Sequence, residues 1–274
     1  MYLVFDIGGT SMRIGVSPDG TNISQVKSVT TPPEFENGIS TIQEIAAQLS
    51  HAVKIEKLAG GIAGPLDKDK TMMIASPQIS GWIQKPFKRR LEEVFNCDVY
   101  LENDATLGGL GEAVFGAGRG YDIVAYISIG TGLGGTRFVK GKIDENSLGF
   151  EPGHQIIDIN SDLVCGCGGK GHLEAFAGGA SLEIRYNKKP ENINDPKIWD
   201  EVAKYLAIGL NNTIVHWSPD MIVLGGSVAK SISLDDITKH LETFLTIFPS
   251  SPPLVKATLG DMAGLLGALE YLKS

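Results

Sequence analysis

The sequence predicts an α/β protein made of two related domains, each with a sheet covered by helices. Short apolar, β-branched segments bounded by glycine turns alternate along the chain with segments of helical periodicity. In addition, FDIGGTSMRIGV from Phe5 and ISIGTGLGGTRFV from Ile127 share an apolar strand, a glycine and threonine turn, and a second strand. This repeat indicates two domains that each open with a β-hairpin whose tip is a glycine loop.

The same patterns assign the individual elements. The predicted strands are YLVF, MRIGVS, LAGGIAG, DVYLE, IVAYISI, TRFVKGKI and MIVLGG. The predicted helices are Ile39–Val53, Pro86–Phe95, Ala105–Phe115, Leu173–Arg185, Pro196–Trp217 and Asp261–Leu272. The polar segment YNKKPENINDPK is expected to be a surface connection. We expect a smaller domain over residues 1–106, joined by the C-terminal helix at about 261–274, and a larger domain over 107–260.

Composition excludes several classes of protein. A chain of 274 residues can bury a substantial core. Its net charge of -8, without long runs of like charge, argues against a nucleic-acid or membrane surface. Three cysteines do not resemble a disulfide framework, so a reducing cytoplasm is expected. No signal-peptide pattern or long apolar span is recognisable, so neither export nor membrane insertion is expected.

The two glycine loops are rich in backbone N–H groups, and such concavities bind anions, above all phosphate. In the first loop, Asp6 ends a buried strand beside the glycines, where an unpaired carboxylate would be costly. A Mg²⁺ ion, bound directly or through water, would be a natural partner for it. A tight hairpin turn without a ligand remains an alternative for either loop taken alone.

The second and third glycine turns each allow a competing interpretation. Gly130, Gly132 and Gly135 satisfy the dinucleotide pattern GxGxxG, but TRFVKGKI after them predicts a strand, whereas the dinucleotide site needs a helix. In the third turn, Gly225 and Gly226 either let a flat ligand such as adenosine approach the backbone or simply end the strand.

Asn103 and Asp104 follow a strand and begin a helix. Both residue types are good N-caps, which is the structural interpretation. The functional interpretation places Asp104 at a cleft between the domains as a base, because phosphoryl transfer to an alcohol needs a carboxylate that accepts the hydroxyl proton. An aspartate at a helix N-terminus stays ionised and fixed in direction, so both interpretations can hold together.

The segment EPGHQIIDINSDLVCGCGGKGHLE, Glu151 to Glu174, could be a redox pair, a metal site or a glycine loop with incidental thiols. A disulfide across one residue is strained, which disfavours the redox pair. One tetrahedral zinc ion could gather His154, Cys165, Cys167 and His172, and four protein ligands would make that zinc structural. Fixing the histidines would then position Glu151 and Glu174 nearby. A metal-free turn remains an alternative.

Taken together, these segments resemble the ROK family of sugar kinases and sugar-responsive repressors, in the actin, Hsp70 and sugar-kinase superfamily. The matching segments occur in family order over nearly the whole chain. They are DIGGT from Asp6, GIAGP from Gly61, SPQISGW from Ser76, LENDA from Leu101, GTGLGG from Gly130, EPGH from Glu151, CGCGGKGHLE from Cys165, IVLGGS from Ile222 and GDMAGLLGAL from Gly260. The resemblance implies two ribonuclease-H-like (actin-like ATPase) domains with an inter-domain cleft.

The resemblance also implies an activity, which is ATP-dependent phosphorylation of a hexose at its terminal hydroxyl with Mg²⁺, and one structural Zn²⁺. Asp104 is then the catalytic base. The implied sugar ligands are Gly64, Asn103, Glu151, His154 and Glu174. The implied ATP-binding residues are Asp6, Gly8, Gly9, Thr10, Gly130, Thr131, Gly132, Gly134, Gly135, Gly225 and Gly226. The implied zinc ligands are His154, Cys165, Cys167 and His172.

The chain departs from the family pattern at three places. His172 stands where the family has its third zinc cysteine, and imidazole is an equally good zinc ligand. Gln78 stands where relatives often have asparagine, which bears on sugar identity. The chain is also shorter than many members after Arg185, so no dimer contacts are carried over.

Glucokinase is the expected activity, with kinases for N-acetylmannosamine, fructose or allose as alternatives. A homodimer is the expected assembly, with no nucleic-acid or membrane partner. A sugar-responsive regulator would place a helix-turn-helix domain ahead of the first loop, whereas the first strand here begins at Tyr2. A sugar-binding protein without kinase activity would be favoured if Asp104 or the phosphate glycines were lost, and they are present.

Overall fold

The computed structural model describes residues 1–76, 79–147 and 149–273, and within these ranges it contains two five-stranded sheets covered by helices. The chain divides into two compact units, Met1–Phe115 with Leu259–Ser274, and Gly116–Thr258. The α/β class and the two sheets are therefore as predicted. Gln78 lies outside the described residues.

Strands and helices alternate along the chain as predicted, but Gln25–Thr30, Leu234–Phe244 and Leu254–Lys256 form elements that the sequence patterns did not predict. The strands are β1 (Tyr2–Ile7), β2 (Ser11–Ser17), β3 (Gln25–Thr30), β4 (Lys57–Ile62), β5 (Asp98–Asn103), β6 (Ile123–Ile129), β7 (Leu133–Val139), β8 (Lys142–Ile143), β9 (Met221–Gly225) and β10 (Leu254–Lys256). The helices are α1 (Phe35–Ser50), α2 (Phe87–Phe95), α3 (Asp104–Val114), α4 (Leu173–Ala177), α5 (Gly179–Tyr186), α6 (Pro196–Trp217), α7 (Leu234–Phe244) and α8 (Ala263–Tyr271).

The two sheets have the same topology. The first has the order β3-β2-β1-β4-β5 and the second the order β8-β7-β6-β9-β10. In the first sheet, β1 and β2 form an antiparallel hairpin, and β4 and β5 run parallel to β1. In the second sheet, β6 and β7 form the hairpin, and β9 and β10 run parallel to β6. The internal repeat predicted from Phe5 and Ile127 is therefore confirmed as a repeat of sheet architecture. In the first sheet, this topology brings the carboxyl ends of β1, β4 and β5 to one edge.

The core of the first unit explains why its central strands are continuous apolar runs. In β1, Leu3, Val4, Phe5 and Ile7 are all fully buried, which is expected of a strand covered on both faces. Aromatic rings beside this strand meet edge to face, with 5.4 Å between the ring centroids of Trp82 and Phe87. Packing in this core therefore fixes the end of β1, where Asp6 lies.

The structure corrects one predicted helix. The segment Leu173–Arg185 forms two helices, α4 and α5, because the chain becomes extended at Gly178, with φ -69° and ψ 142°. This break lets α5 begin against the second glycine turn, where the Gly179 N–H donates to the Gly130 carbonyl at 2.9 Å.

The compact units divide later than the predicted boundary at residue 106, which falls inside α3. Helix α3 packs closely on α8 in the first unit, since a Cβ atom at Gly267 would lie 1.8 Å from the Leu107 carbonyl oxygen. The first unit therefore includes all of α3 and resumes at Leu259, slightly before the predicted 261. Among the described residues, no helix combines the length and apolar character needed to cross a bilayer.

Candidate active site

The first glycine turn, between β1 and β2, is held by hydrogen bonds on both sides. The Gly8 N–H donates to the Ser11 carbonyl at 2.9 Å. Thr31, directly after β3, also holds the turn, because its hydroxyl donates to the Gly8 carbonyl at 2.7 Å and its N–H donates to the Thr10 carbonyl at 3.1 Å. The predicted phosphate residues Gly8, Gly9 and Thr10 thus lie in one constrained turn that begins two residues after Asp6.

Two carboxylates, those of Asp6 and Asp104, lie close together at the edge of the first sheet where β1 and β5 end. Burial and, next in size, the negative charge of Asp104 together raise the pKa of Asp6 to about 7, while the Arg13 guanidinium opposes the shift. Burial also raises the pKa of Asp104, opposed by the hydrogen bond that its carboxylate accepts from the Ala105 N–H at 2.9 Å. A partly buried carboxylate beside a second one is costly without a cation, so Asp6 fits the predicted Mg²⁺.

Asp104 is fixed by its neighbours in sequence and in space. Asn103 is the N-cap of α3, since its side-chain oxygen accepts from the Thr106 N–H at 3.1 Å. Its side-chain nitrogen donates to the Gly64 carbonyl at 3.1 Å. A Cβ atom at Gly61 would lie only 2.8 Å from the Asp104 Cα. Position 61 of β4 therefore requires glycine. The structural interpretation of Asn103 is confirmed, and it leaves Asp104 rigidly placed.

The second glycine turn, between β6 and β7, contains Gly130, Thr131 and Gly132. It leads into β7, which also contains Gly134 and Gly135 and is the predicted strand, not the helix that a dinucleotide site needs. The start of α5 packs against the turn, with the Ala180 N–H donating to the Thr131 carbonyl at 2.9 Å. The turn is therefore fixed by a neighbouring helix terminus.

The third glycine turn has a structural explanation of its own. A Cβ atom at Gly225 would lie 2.0 Å from the Tyr126 hydroxyl oxygen, and one at Gly226 would lie 2.3 Å from the Ile129 carbonyl oxygen. Gly226 also has a φ of +90°, which disfavours other residues. Packing alone accounts for both glycines, and an adenosine contact stays a prediction.

The predicted metal ligands come together in the second unit. His154, Cys165, Cys167 and His172 each offer a ligand atom, and these atoms all lie within 4.8 Å of one another. The Nδ1 atom of His154 is 3.5 Å from the Cys165 Sγ, and the Nδ1 atom of His172 is 3.3 Å from the Cys167 Sγ. Two imidazoles and two thiols at this separation fit one tetrahedral zinc ion after modest contraction.

The two glutamates next to this cluster have different surroundings. Glu174, in the first turn of α4, accepts from the Leu133 N–H at 2.8 Å and from the Cys165 thiol at 3.1 Å. Glu151 is more exposed, and its Oε2 lies 3.8 Å from the Nε2 of His154. Burial raises the pKa of Glu151, while His154 opposes the shift. His154 thus directs Nδ1 to the thiol and Nε2 to Glu151.

The structure also shows polar contacts that sequence reasoning missed. The Arg13 guanidinium lies 3.7 Å from Asp6 and 3.0 Å from Asp261. Lys70 pairs with Glu102, directly before Asn103. In the second unit, the Asn212 side chain donates to the Gln155 side chain at 2.8 Å. A charged residue at the end of a buried strand, such as Glu102, was a signal that could have been followed.

Comparison with known proteins gives a consistent result. The model of the ROK family matches residues 2–274. A glucokinase of Streptomyces coelicolor is 29% identical, covering 98% of this chain and 96% of the relative. A putative fructokinase of Bacillus subtilis is 29% identical over 96% of this chain and 92% of its own length. An N-acetyl-D-glucosamine kinase of Vibrio atlanticus is 28% identical, covering 98% of each.

Two solved structures are similar over their whole length. A ROK hexokinase from Thermus thermophilus has a TM-score of 0.89 and 32% identity, covering 99% of this chain and 98% of that one. A ROK family glucokinase from Streptomyces griseus, in complex with glucose and AMPPNP, has a TM-score of 0.78 and 30% identity, covering 98% of each chain. The fold of these kinases is the fold described above.

Proposed function

The chain belongs to the ROK family and is a sugar kinase, and from that premise we propose that it transfers the γ-phosphoryl group of ATP to the 6-hydroxyl of a hexose, with glucose as the main substrate. The observation that carries the chemistry is the partly buried Asp104 carboxylate, fixed at the start of α3 beside Asp6. The name of the Streptomyces coelicolor relative supports glucose.

In this proposal Asp104 is the general base. It accepts the proton of the sugar hydroxyl as that oxygen bonds to the γ-phosphorus, and the bond from phosphorus to the bridging oxygen of ADP breaks. A base works best when its pKa lies near the working pH, and burial moves the pKa of Asp104 upward in that direction. The Ala105 N–H and the Asn103 cap hold the carboxylate in one orientation, which reduces the entropy lost on reaching the transition state.

We assign five residues as hydroxyl ligands of the sugar: Gly64, Asn103, Glu151, His154 and Glu174. The support is chemical, because carboxylates, an imidazole and an amide can fix hydroxyl groups in orientation through charge-assisted and neutral hydrogen bonds. Glu151 and the Nε2 of His154 already face one another, so one hydroxyl could bridge them.

ATP is bound by the glycine turns in the same proposal. The turn after Asp6 and the turn from Gly130 provide backbone donors to the phosphates, and Gly225 with Gly226 borders the adenosine. Mg²⁺, when bound, would offset the charge of the triphosphate, and Asp6 would hold it directly or through water, which leaves Asp104 free to act as the base. Zinc would be structural, because His154, Cys165, Cys167 and His172 leave it no open position.

A kinase for fructose or for an N-acetylated hexose is the second candidate. The specific observation in its favour is that relatives of nearly the same identity bear those names. N-acetylmannosamine and allose also belong on a substrate panel. Three free cysteines suit a reducing cytoplasm as the site of this activity. A homodimer is the assembly we propose, and light scattering would test it.

The test is a steady-state assay of ADP release with Mg-ATP across glucose, fructose, allose, mannose, N-acetylglucosamine and N-acetylmannosamine. We expect glucose to have the highest kcat/KM. A higher kcat/KM for another sugar would overturn glucose but keep the kinase, whereas no activity on any sugar would overturn the proposed function.

A further inference from the structure

A partly buried ion pair involves Glu102, two residues before the candidate base, and Lys70, whose side chain is 43% exposed. Glu102, the residue before Asn103, has a side chain only 10% exposed, and its Oε2 is bonded to the Lys70 ammonium group. A carboxylate so deeply placed would be costly without a cation. Lys70 supplies that cation from a different part of the first unit, the turn after β4.

The second oxygen of Glu102 reaches the backbone of the candidate site. Its Oε1 accepts from the Asn103 N–H at 2.9 Å. The side chain of Asn103 in turn binds the Gly64 carbonyl and caps α3, and Asp104 follows at once. The position of the Glu102 carboxylate therefore bears on both the sugar ligand Asn103 and the base Asp104.

The turn that carries Lys70 is built to present it. The Asp67 carboxylate accepts from the Thr71 N–H at 2.6 Å and from the Met72 N–H at 2.9 Å. Lys70 itself has a φ of +51°, a left-handed conformation that lysine disfavours and glycine adopts freely. The backbone alone would thus favour glycine here, and the lysine gives this turn a side chain that reaches Glu102.

A third residue completes the cluster. The Tyr271 hydroxyl lies 3.4 Å from the Lys70 ammonium group, which also stands 5.7 Å from the centre of the tyrosine ring. Because Tyr271 ends α8, the cluster joins the turn after β4, the end of β5 and the C-terminal helix. Lys70 is thereby held from two sides.

We propose that Lys70 and Glu102 form a positioning pair that fixes Asn103 and Asp104 for phosphoryl transfer. The pair touches neither substrate; it acts through the Asn103 N–H and the start of α3. This inference rests on the proposed function, since it assumes that Asp104 is the base and Asn103 a sugar ligand. Without Lys70, the Glu102 carboxylate would lose its cation and turn toward water, and its hydrogen bond from the Asn103 N–H would weaken.

The experiment compares Lys70→Met, Lys70→Gly and Lys70→Arg with the wild type on its best sugar. We expect Lys70→Met and Lys70→Gly to lower kcat about tenfold and to raise the KM for the sugar, with the KM for ATP within about twofold of wild type. Lys70→Arg should recover most of the activity, because it keeps the cation. Arg89→Met, which removes the exposed pair of Arg89 with Glu93, is the matched control and should behave as wild type.

Two measurements separate positioning from a general loss of folded protein. Partial unfolding would lower the apparent kcat alone, leaving both KM values unchanged, and would appear in a thermal melt. Lys70→Gly also removes the disfavoured backbone conformation, so lost activity in a variant that melts as wild type assigns the effect to the side chain.

The outcomes distinguish this inference from the function on which it rests. A wild-type enzyme inactive on every sugar would overturn the proposed kinase activity. An active wild type, with Lys70→Met and Lys70→Gly equal to it in kcat and sugar KM, would overturn the positioning pair alone. A double variant, Lys70→Met with Glu102→Gln, should lose no more than Lys70→Met, since the two residues act as one unit; a further independent loss would also contradict the pair.

Discussion

Glu174 accepts a hydrogen bond from the Leu133 N–H at 2.8 Å, which joins the cysteine and histidine cluster to the second glycine turn. The fit is close, because a Cβ atom at Gly132 would lie 2.6 Å from the Glu174 Oε2. Glu174 therefore contacts the proposed phosphate loop and is also a proposed ligand of the sugar, although these two sites come from separate segments of the sequence.

Replacing Glu174 should therefore affect both substrates. We expect Glu174→Ala to raise the KM for ATP and the KM for sugar, each by about fivefold or more, because the turn loses an acceptor and the sugar loses a ligand. Glu151→Ala is the matched comparison, since Glu151 contacts His154 but no glycine-turn residue in any described contact, and it should raise only the sugar KM. Equal KM values for ATP in the two variants would refute the link.

The zinc assignment predicts a metal content and a cysteine dependence. Metal analysis of the purified protein should give about one zinc per chain, and Cys165→Ala or Cys167→Ala should abolish it. Cys97→Ala is the matched control, because Cys97 lies in the other unit, and it should keep the zinc. The zinc-free protein should also lose sugar affinity, because Glu151, His154 and Glu174 would no longer be held. A fully active enzyme without zinc would contradict the assignment.

The raised pKa of Asp6 predicts how stability depends on pH in metal-free buffer. The folded protein binds this proton more tightly, with a pKa of about 7 against an ordinary value of 3.8. The associated stability is fully present below the lower value and is lost as pH rises through the upper one. Asp6→Asn removes this loss. The quantity to measure is the free energy of unfolding of Asp6→Asn minus that of wild type, from urea denaturation at several pH values. This difference should increase as pH rises from 3.8 to about 7 and should then level off. A difference that stays constant with pH would show that the pKa of Asp6 is not raised.

Much of the fold could be predicted because its central strands are unmistakable. β1, β6 and β9 are apolar, β-branched and bounded by glycine turns, and burial on both faces demands that pattern. The edge strand β3 was not predicted, since QVKSVT is largely exposed and little of its pattern depends on the core. The break at Gly178 was also missed, because it depends on packing against Gly130, which is distant in sequence.

In the candidate site, too, residues within contiguous motifs could be predicted, whereas contacts between residues distant in sequence could not. Asp6, Asp104 and the metal cluster could be located because their motifs are contiguous and their residue types are chemically specific. The partners that hold them could not, because Lys70 with Glu102, and Glu174 with Leu133, meet only through tertiary packing. Which histidine nitrogen faces the thiol was likewise decided by geometry, with Nδ1 of His154 turned to Cys165.

The central claim is that Asp104 is the base of a sugar kinase, and the most direct test is the kcat of Asp104→Asn on the best sugar, with sugar binding measured by calorimetry. Asp98→Asn, at the exposed start of the strand that leads to Asp104, is the matched control. We expect Asp104→Asn to lose about 10²-fold or more in kcat while sugar affinity largely survives, because only proton transfer is removed. A folded Asp104→Asn enzyme with nearly normal kcat would contradict the account and leave Asp104 only the structural role of beginning α3.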